Sequence, residues 1–313
     1  MIRTWIFVKP NICTRSRIPV SHFHILRPMS INMSANEHHP EPASDAKAAP
    51  QSRPQAAKKP GKKEIKILML HGYTQSGPLF HAKTRALEKL MIKSLAPFNV
   101  QPTLIYPTAP NQLRAEDIPG CDPAEAADDP RAADSWAWFR KDDATGAYRQ
   151  LREGMSRLTE AVRDAGGVEG VVGFSQGAAM AGMMAAVLDE PRREVPGSES
   201  ARQWVAELRE ANGGRALRFA VIYSGFAAQP PGLGWMYDPS IRTPTMHFIG
   251  SLDTVVDEKR SRELADKCEN PLVIEHPGGH HVPTGKEFAM PLIGFIKQKC
   301  VDDVAAAAAA DGA

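Results

Sequence analysis

The chain has 313 residues, of which 42% are hydrophobic and 24% are charged, and its formal net charge is +2. This length allows one large domain or two small ones, and the composition is that of an ordinary globular protein. The charge is uneven: residues 1–63 hold eleven Lys or Arg and three Asp or Glu, a net charge of +8, which leaves −6 for residues 64–313. A mildly acidic body argues against a nucleic-acid groove, which needs clustered basic side chains.

Two further classes of protein are disfavoured by what the sequence lacks. No apolar run reaches the roughly 20 residues that a membrane-spanning helix needs. The cysteines are scattered without a Cys-x-x-Cys pair, which argues against a disulfide framework and a cysteine-rich zinc site; they are Cys13, Cys121, Cys268 and Cys300. We expect a core-forming protein that needs no cofactor or metal and has no nucleic-acid partner.

Composition divides the chain into three parts. We predict a disordered basic extension over residues 1–63, a folded domain over 64–300 and a low-complexity tail over 301–313. Residues 1–36 are basic and free of acids, which is typical of a mitochondrial targeting segment, but three prolines interrupt any helix there. We favour a true start at Met29 or Met33 and a cytoplasmic location.

Within residues 64–300, short apolar runs alternate with segments of helical spacing. The predicted strands are Ile65–Leu70, Val100–Tyr106, Val168–Gly173, Phe219–Ser224, Thr245–Gly250 and Leu272–Glu275. The predicted helices are Lys83–Leu95, Tyr148–Ala165, Gln176–Leu188, Arg202–Asn212, Glu258–Cys268 and Lys286–Gln298. This alternation predicts an α/β fold with a mostly parallel, doubly wound sheet covered by helices on both faces.

One long segment breaks the alternation. Residues 107–147 are rich in Pro, Asp and Ala and end near a cluster of aromatic residues. A loop of this length inside a compact domain is usually a lid or a binding loop. We therefore predict a lid-like insertion that follows the second strand.

The strongest chemical signal is Gly173-Phe174-Ser175-Gln176-Gly177, which follows an apolar run and opens a helix. A Gly-x-Ser-x-Gly sequence between a strand and a helix forms a sharp turn that exposes the serine hydroxyl at the edge of the sheet. The helix N-terminus behind it offers free N–H groups to a developing oxyanion. The alternative is a serine that only caps the helix. We predict that Ser175 is a nucleophile.

A serine hydroxyl needs a base and an acid, which follow it in the chain order Ser, Asp or Glu, His. Asp253 lies just after the fifth predicted strand. It would hold the imidazole tautomer, whereas Asp257 is better placed to cap the next helix. From the pattern alone the base is His280 or, less favoured, His281.

His276 is a weaker candidate for the base. It precedes the Gly278-Gly279 turn, and its simpler interpretation is a residue that packs beneath that turn. In this chemistry the base carries the proton from the nucleophile to the leaving group.

The loop after the first strand completes the predicted site. It runs from His71 to Gly77, and in such folds it donates one backbone N–H to the oxyanion, while the residue after the nucleophile donates the other. We assign these donors to Tyr73, with Thr74 as the alternative, and to Gln176. His71 is more simply explained as a structural hydrogen-bonding residue than as a ligand or base.

Five segments occur together and in order: LHGYTQSG, the AWF…Y stretch, GFSQGAAMA, IGSLDTVV and HPGGHHVP. Their combination resembles the FSH-type family of serine hydrolases, an α/β-hydrolase branch that includes thioesterases releasing acyl chains from polyketide synthases. The resemblance covers about residues 64–300, and GFSQG is shared with acyl-protein thioesterases and carboxylesterases. It implies an α/β-hydrolase fold, hydrolysis of esters or thioesters, and a triad of Ser175, Asp253 and His280. The extra His281 and the basic N-terminal extension depart from the family pattern.

Three other classes of function compete with this interpretation. A metal hydrolase would use the histidines, but His-Glu-x-x-His is absent. A nucleotide-binding protein would need a Gly-rich phosphate loop, which is also absent. A non-catalytic α/β-hydrolase scaffold that binds a small molecule or a protein would not need all three triad residues.

The substrate pocket is predicted from the position of aromatic and Met residues in two loops. We expect the segment from Pro107 to Tyr148 to fold over the site and form an apolar acyl pocket with the loop Gly232–Tyr237. Aromatic and Met side chains suit an adaptable apolar site. The candidate substrate-binding residues are Trp136, Trp138, Phe139, Trp235 and Met236. The alternative is that these side chains anchor the loop to the core.

Overall fold

The computed structural model describes residues 61–119 and 133–302, all within one compact unit spanning Lys58–Ala313. The predicted disorder of the N-terminal extension and of the tail falls almost wholly outside these residues. At the two predicted boundaries the structure differs slightly, because the first strand begins at Lys63 and a last helical turn ends at Asp302.

In residues 61–119 and 133–302, six strands form the main sheet and six longer helices cover it. The strands are β1 (Lys63–Leu70), β2 (Val100–Ile105), β3 (Gly170–Phe174), β4 (Phe219–Tyr223), β5 (Thr245–Gly250) and β6 (Leu272–His276). The helices are α1 (Gly77–Leu95), α2 (Leu151–Asp164), α3 (Gln176–Val187), α4 (Glu199–Ala211), α5 (Glu258–Ala265) and α6 (Lys286–Lys297). Shorter helical turns are Ala96–Phe98, Ala115–Asp117, Pro231–Met236 and Gln298–Asp302. The predicted order of strands and helices is confirmed.

The six strands are all parallel and lie in the order β6-β5-β4-β3-β1-β2. Chain order therefore reverses between β1 and β3, as in a doubly wound sheet. The predicted fold class, a parallel α/β sheet of the α/β-hydrolase type, is confirmed. In the described ranges, no helix has the length and apolarity to cross a membrane.

The core lies on both faces of the sheet. Along β1, Ile67 packs with α1 and α6 on one face, while Leu68 packs with α2 to α5 on the other. Successive side chains on a strand point to opposite faces, so an unbroken apolar run is buried only when helices cover both faces. This explains the continuous apolar strands of the sequence and leaves the carboxyl edge of the sheet free for polar side chains.

Helix α1 begins six residues before the predicted start at Lys83. Ser76 is its N-cap, and the Ser76 Oγ accepts a hydrogen bond from the Leu79 N–H at 3.3 Å. Pro78 occupies the first turn, where its missing N–H is not needed. The spacing of apolar residues does not predict the first six residues of α1, because the start of the helix is specified by the Ser76 cap.

The insertion after β2 has secondary structure that the sequence pattern does not predict. Asn111–Gln112 pairs with Trp136–Ala137, and Arg140–Lys141 pairs with Tyr148–Arg149, both antiparallel. Arg140 also forms an ion pair with Asp117. Two-residue strands are too short to produce a periodic pattern, so only the pairing partners reveal them.

Candidate active site

Ser175 occupies the turn between β3 and α3 in a strained backbone conformation, with φ of 54° and ψ of −117°. Positive φ is uncommon for a residue with a side chain, and it persists only where the surroundings enforce it. Here the neighbouring glycines allow a very close approach. A Cβ on Gly173 would lie 2.2 Å from the Gly177 carbonyl oxygen, and a Cβ on Gly177 would lie 2.2 Å from the Leu70 carbonyl oxygen. Two adjacent segments of backbone therefore hold Ser175 in place.

A chain of hydrogen bonds joins Ser175 to the two other residues of the predicted triad. The His280 Nε2 lies 2.9 Å from the Ser175 Oγ, and the His280 Nδ1 lies 2.8 Å from the Asp253 Oδ2. A carboxylate only accepts, so Nδ1 carries the proton and Nε2 is free to accept from the serine hydroxyl. This is the arrangement in which an imidazole can take a proton from a serine.

Asp253 is held by the backbone as well as by the imidazole. Its side chain is 1% exposed, and its Oδ1 accepts hydrogen bonds from the N–H groups of Val255 and Val256, both at 2.9 Å. Burial would raise the pKa of Asp253, but the hydrogen bonds from His280 and from the Val256 N–H outweigh it and keep this pKa below its ordinary value. The carboxylate therefore stays ionised beside His280.

The alternative candidates for the acid and the base, Asp257, His281 and His276, have other contacts. Asp257 caps α5, since its side chain accepts the Arg260 N–H at 2.9 Å. His281 is exposed, and its ring lies against that of buried His276, with centroids 5.1 Å apart. The packing interpretation of His276 is therefore the one the structure shows, and His280, not His281, lies between Asp253 and Ser175.

The loop after β1 contributes Tyr73 and Thr74 to the site, and their backbone N–H groups differ in their partners. Thr74 has a φ of 62°, and its N–H donates to the Trp136 carbonyl at 3.1 Å, so it is already occupied. In the part of the chain that the structure describes, the N–H groups of Tyr73 and Gln176 donate to no protein acceptor. Between the two candidates on this loop, the geometry favours Tyr73 over Thr74 as an oxyanion donor.

His71 is a structural residue of this loop. Its Nε2 accepts the Ala109 N–H at 3.0 Å, and its Nδ1 donates to the Gly72 carbonyl at 2.8 Å. Burial lowers the pKa of His71 to about 4, so the ring is neutral, as one acceptor and one donor nitrogen require. The imidazole thereby ties the loop after β1 to the loop after β2.

A second buried link was not apparent from the sequence. The Gln176 carboxamide pairs with the backbone of the insertion: Oε1 accepts the Trp138 N–H and Nε2 donates to the Phe139 carbonyl, each at 2.7 Å. The Trp138 indole Nε1 donates to the His71 carbonyl at 2.9 Å. We call Gln176, Trp138 and His71 the buried clamp. It joins the turn at Ser175, the insertion and the loop after β1.

The predicted acyl pocket requires a correction. Trp138, Phe139 and Met236 are at most 2% exposed and belong to the hydrophobic core. Trp136 and Trp235 are half-buried, pack against that core, and do not line the cavity beside Ser175 described below. The alternative that these aromatics anchor loops is the one the structure shows, because large apolar side chains gain more from full burial than from lining an open cavity.

A cavity of about 620 Å³ lies beside Ser175 and His280, and we call it the large arm. Its apolar lining comes from Leu79, Ile118 and Val255, together with Phe174. A neighbouring cavity of about 300 Å³, the small arm, shares some of its lining residues. Nothing in the described ranges groups three His, Cys, Asp or Glu side chains closely enough to hold a metal ion.

Comparison with known proteins gives a family match over this region. The family model described as Serine hydrolase (FSH1) matches residues 61–292. The chain is 31% identical over 246 residues to Family of serine hydrolases 2 from Saccharomyces cerevisiae, covering 74% of this chain and 97% of that protein. It is 29% identical to Esterase OVCA2 from Danio rerio, covering 75% and 97% respectively.

A further relative is longer than the chain. The Dihydrofolate reductase of Schizosaccharomyces pombe is 30% identical over 229 residues, which are 71% of this chain and 44% of that protein. The chain therefore spans less than half the length of this relative.

Proposed function

Since the chain belongs to the serine hydrolase (FSH1) family and is a hydrolase by that membership, we propose that it cleaves carboxylic esters or thioesters through an acyl-enzyme formed on Ser175. The observation that supports this most directly is the position of His280. One of its nitrogens is 2.9 Å from the Ser175 hydroxyl and the other is 2.8 Å from the Asp253 carboxylate.

In the first half of the proposed reaction, Ser175 Oγ attacks the acyl carbon while its proton passes to His280 Nε2. Asp253 keeps the proton on His280 Nδ1 and stabilises the imidazolium. His280 then protonates the departing oxygen or sulfur, and the acyl group remains on Ser175. A water molecule, activated by the same imidazole, releases the acid in the second half.

The oxyanion formed at each addition step needs donors that are already in place. The N–H groups of Tyr73 and Gln176 are our candidates, since no described residue accepts from them. Removing one such donor typically lowers turnover about 10²- to 10³-fold. Backbone donors cannot be deleted directly, but the buried clamp that fixes both segments can be altered, and this provides an indirect test.

We propose that the acyl chain occupies the large arm. Its lining includes Ser175 together with apolar Leu79, Ile118 and Val255. Each methylene buried there contributes about 0.8 kcal/mol, so kcat/KM should rise several-fold per CH₂ until the arm is filled. Val255→Trp should shorten the preferred chain, as p-nitrophenyl esters of increasing length would reveal. Equal turnover of acetyl and octanoyl esters by the wild type would contradict this placement.

Covalent labelling tests the nucleophile. A fluorophosphonate probe should label the wild type once, at Ser175, and Ser175→Ala should abolish both the label and ester hydrolysis. His281→Ala is the matched control, because it changes a neighbouring histidine that lies outside the hydrogen-bonded chain. Labelling that persists at another serine in Ser175→Ala would overturn the proposed mechanism.

A further inference from the structure

The space beside the triad divides into two arms that share four lining residues: Gln75, Lys83, Phe174 and His280. Only the large arm is lined by Ser175 and Tyr73. The small arm continues past His280 to His281 and Thr284. A substrate that reacts at Ser175 can therefore extend in two directions from its scissile bond.

The chemistry of the reaction assigns a part of the substrate to each arm. The acyl carbon bonds to Ser175 Oγ, so the acyl group belongs to the arm that Ser175 lines. The departing atom must receive its proton from His280 Nε2. His280 lines both arms but Ser175 lines only the large one, so with the acyl group in the large arm we assign the leaving group to the small arm.

The two arms also differ in charge. The cation Lys83 lines both arms, but the described lining of the small arm contains no Asp or Glu. The large arm is lined by Asp134, whose carboxylate accepts hydrogen bonds from the Ser76 hydroxyl at 2.6 Å and the Trp136 indole at 3.1 Å. Asp134 therefore already has two hydrogen-bond donors, and of the two arms it lines only the large one.

Lys83 lacks such a partner. It lies on the second turn of α1, and no described residue forms an ion pair or a hydrogen bond with its ammonium. By contrast, Lys66 donates to the Ala165 carbonyl and Lys297 pairs with Asp302. A cation in a small cleft whose described lining holds no acid favours an anionic ligand there.

From these observations we propose that the leaving group of the substrate carries an anion, a carboxylate or a phosphate, a few bonds from the scissile bond, and that Lys83 binds it. This inference rests on the proposed function. In the balanced reaction, the bond between the acyl carbon and the ester oxygen breaks, and water supplies the hydroxyl of the acid. The ester oxygen gains a proton through His280, and the leaving group departs as a hydroxy acid or a hydroxylated phosphate.

A matched pair of esters tests the proposal. The two substrates are 3-(hexanoyloxy)benzoate and 3-(hexanoyloxy)benzamide, which have the same acyl chain and similar shape but differ in charge. Because Lys83 is exposed, we expect the wild type to favour the benzoate in kcat/KM by about three- to tenfold, mainly through KM and less at high salt. 3-(Hexanoyloxy)phenyl phosphate is the third arm, and a larger preference for it than for the benzoate would identify the anion as a phosphate.

Variants on α1 supply the controls. Lys83→Met should abolish the preference for the charged ester, and Lys83→Arg should retain it. Lys89→Met removes an exposed lysine of the same helix that lines neither arm, so it should keep the wild-type preference. A preference that survives Lys83→Met would show that another group binds the anion and would overturn the assignment.

The outcomes separate this inference from the proposed function. If p-nitrophenyl hexanoate is hydrolysed but the charged esters are not preferred, the leaving-group inference is wrong and the serine mechanism stands. If p-nitrophenyl hexanoate is not hydrolysed and Ser175 takes no fluorophosphonate label, the proposed function fails and the inference fails with it.

Discussion

Strand β5 has a buried aspartate near each of its ends, and the two carboxylates differ in their partners. Near the amino end of β5, Asp189 accepts the N–H groups of Arg242 and Thr243, which directly precede the strand. It also pairs with the Arg193 guanidinium at 2.9 Å, and both side chains of this pair are at most 4% exposed. After the strand, Asp253 accepts two backbone N–H groups in a similar way, but its side-chain partner is His280.

The difference lies in whether the partner can change its charge. A guanidinium remains protonated in proteins, so Asp189 and Arg193 form a fixed pair. An imidazole can accept and release a proton, so in the proposed mechanism the pair at Asp253 changes its charge during the reaction. Similar backbone anchoring therefore supports a structural pair at the amino end of β5 and the proposed catalytic pair at the carboxyl end.

The largest expected effect comes from changing the catalytic pair without changing its shape. Asp253→Asn should lower kcat about 10³- to 10⁴-fold, because the amide no longer holds the productive tautomer of His280. The melting temperature of Asp253→Asn should shift far less than that of Asp189→Ala, which changes the aspartate at the amino end of β5. Steady-state kinetics and calorimetry measure the two effects, and an Asp253→Asn enzyme with more than a tenth of wild-type kcat would contradict the assigned role.

Asp189→Ala is the corresponding change at the amino end. It leaves Arg193 buried without its carboxylate and should reduce the free energy of unfolding by about 3–5 kcal/mol. The folded fraction should keep wild-type kcat, since this pair lies at the opposite end of the strand. Asp189→Leu combined with Arg193→Met should recover part of the stability. Urea unfolding tests this, and loss of kcat in well-folded Asp189→Ala would refute the separation of roles.

His247 lies within β5, between these two aspartates, and it makes the stability of the fold depend on pH. Burial lowers the pKa of His247 from 6.5 to about 4, so the unfolded chain binds a proton over a range in which the folded chain does not. The contribution of His247 to the free energy of unfolding is therefore fully present above pH 6.5. It falls by about 3 kcal/mol as the pH drops towards 4. His247→Leu should reduce that loss.

The comparison is made by urea unfolding of both proteins at pH 7.5 and at pH 4.5. The wild type should lose more stability than His247→Leu between these two values. Identical losses would show that His247 is protonated in the folded protein at the lower pH.

The smallest expected effect concerns the buried clamp. Trp138→Phe keeps an aromatic ring in the core but removes the N–H that binds the His71 carbonyl, and leaves that buried acceptor unsatisfied. We expect kcat to fall about tenfold with KM nearly unchanged, which corresponds to about 1.4 kcal/mol lost in the transition state. Tyr237→Phe is the control, because it removes a hydroxyl that binds the Ala228 N–H elsewhere in the core. If the two variants lowered kcat equally, the Trp138 N–H would have no specific role in positioning the loop after β1.

The sequence pattern is sufficient to predict the six strands, Ser175 and Asp253, whereas the choice of His280 over His281 came from the family resemblance. Continuous apolar runs specify buried parallel strands, and the Gly-Phe-Ser-Gln-Gly turn has a local signature. The buried clamp has no such signature, because it joins residues that lie 37, 38 and 67 positions apart. The aromatic residues of the insertion were misassigned for a related reason: composition shows that a tryptophan is apolar but not which surface covers it.

The buried clamp also bears on how variants of this protein could be made to accept other acids. Displacing residues 136–139 would break the three hydrogen bonds of Gln176 and Trp138 together, so substitutions at these positions would disturb the turn that holds Ser175. Val255 is 62% exposed and Leu79 is 37% exposed, and both line the large arm. Randomising Val255 and Leu79, and leaving the clamp intact, concentrates a mutant library on side chains that can change size without loosening the nucleophile.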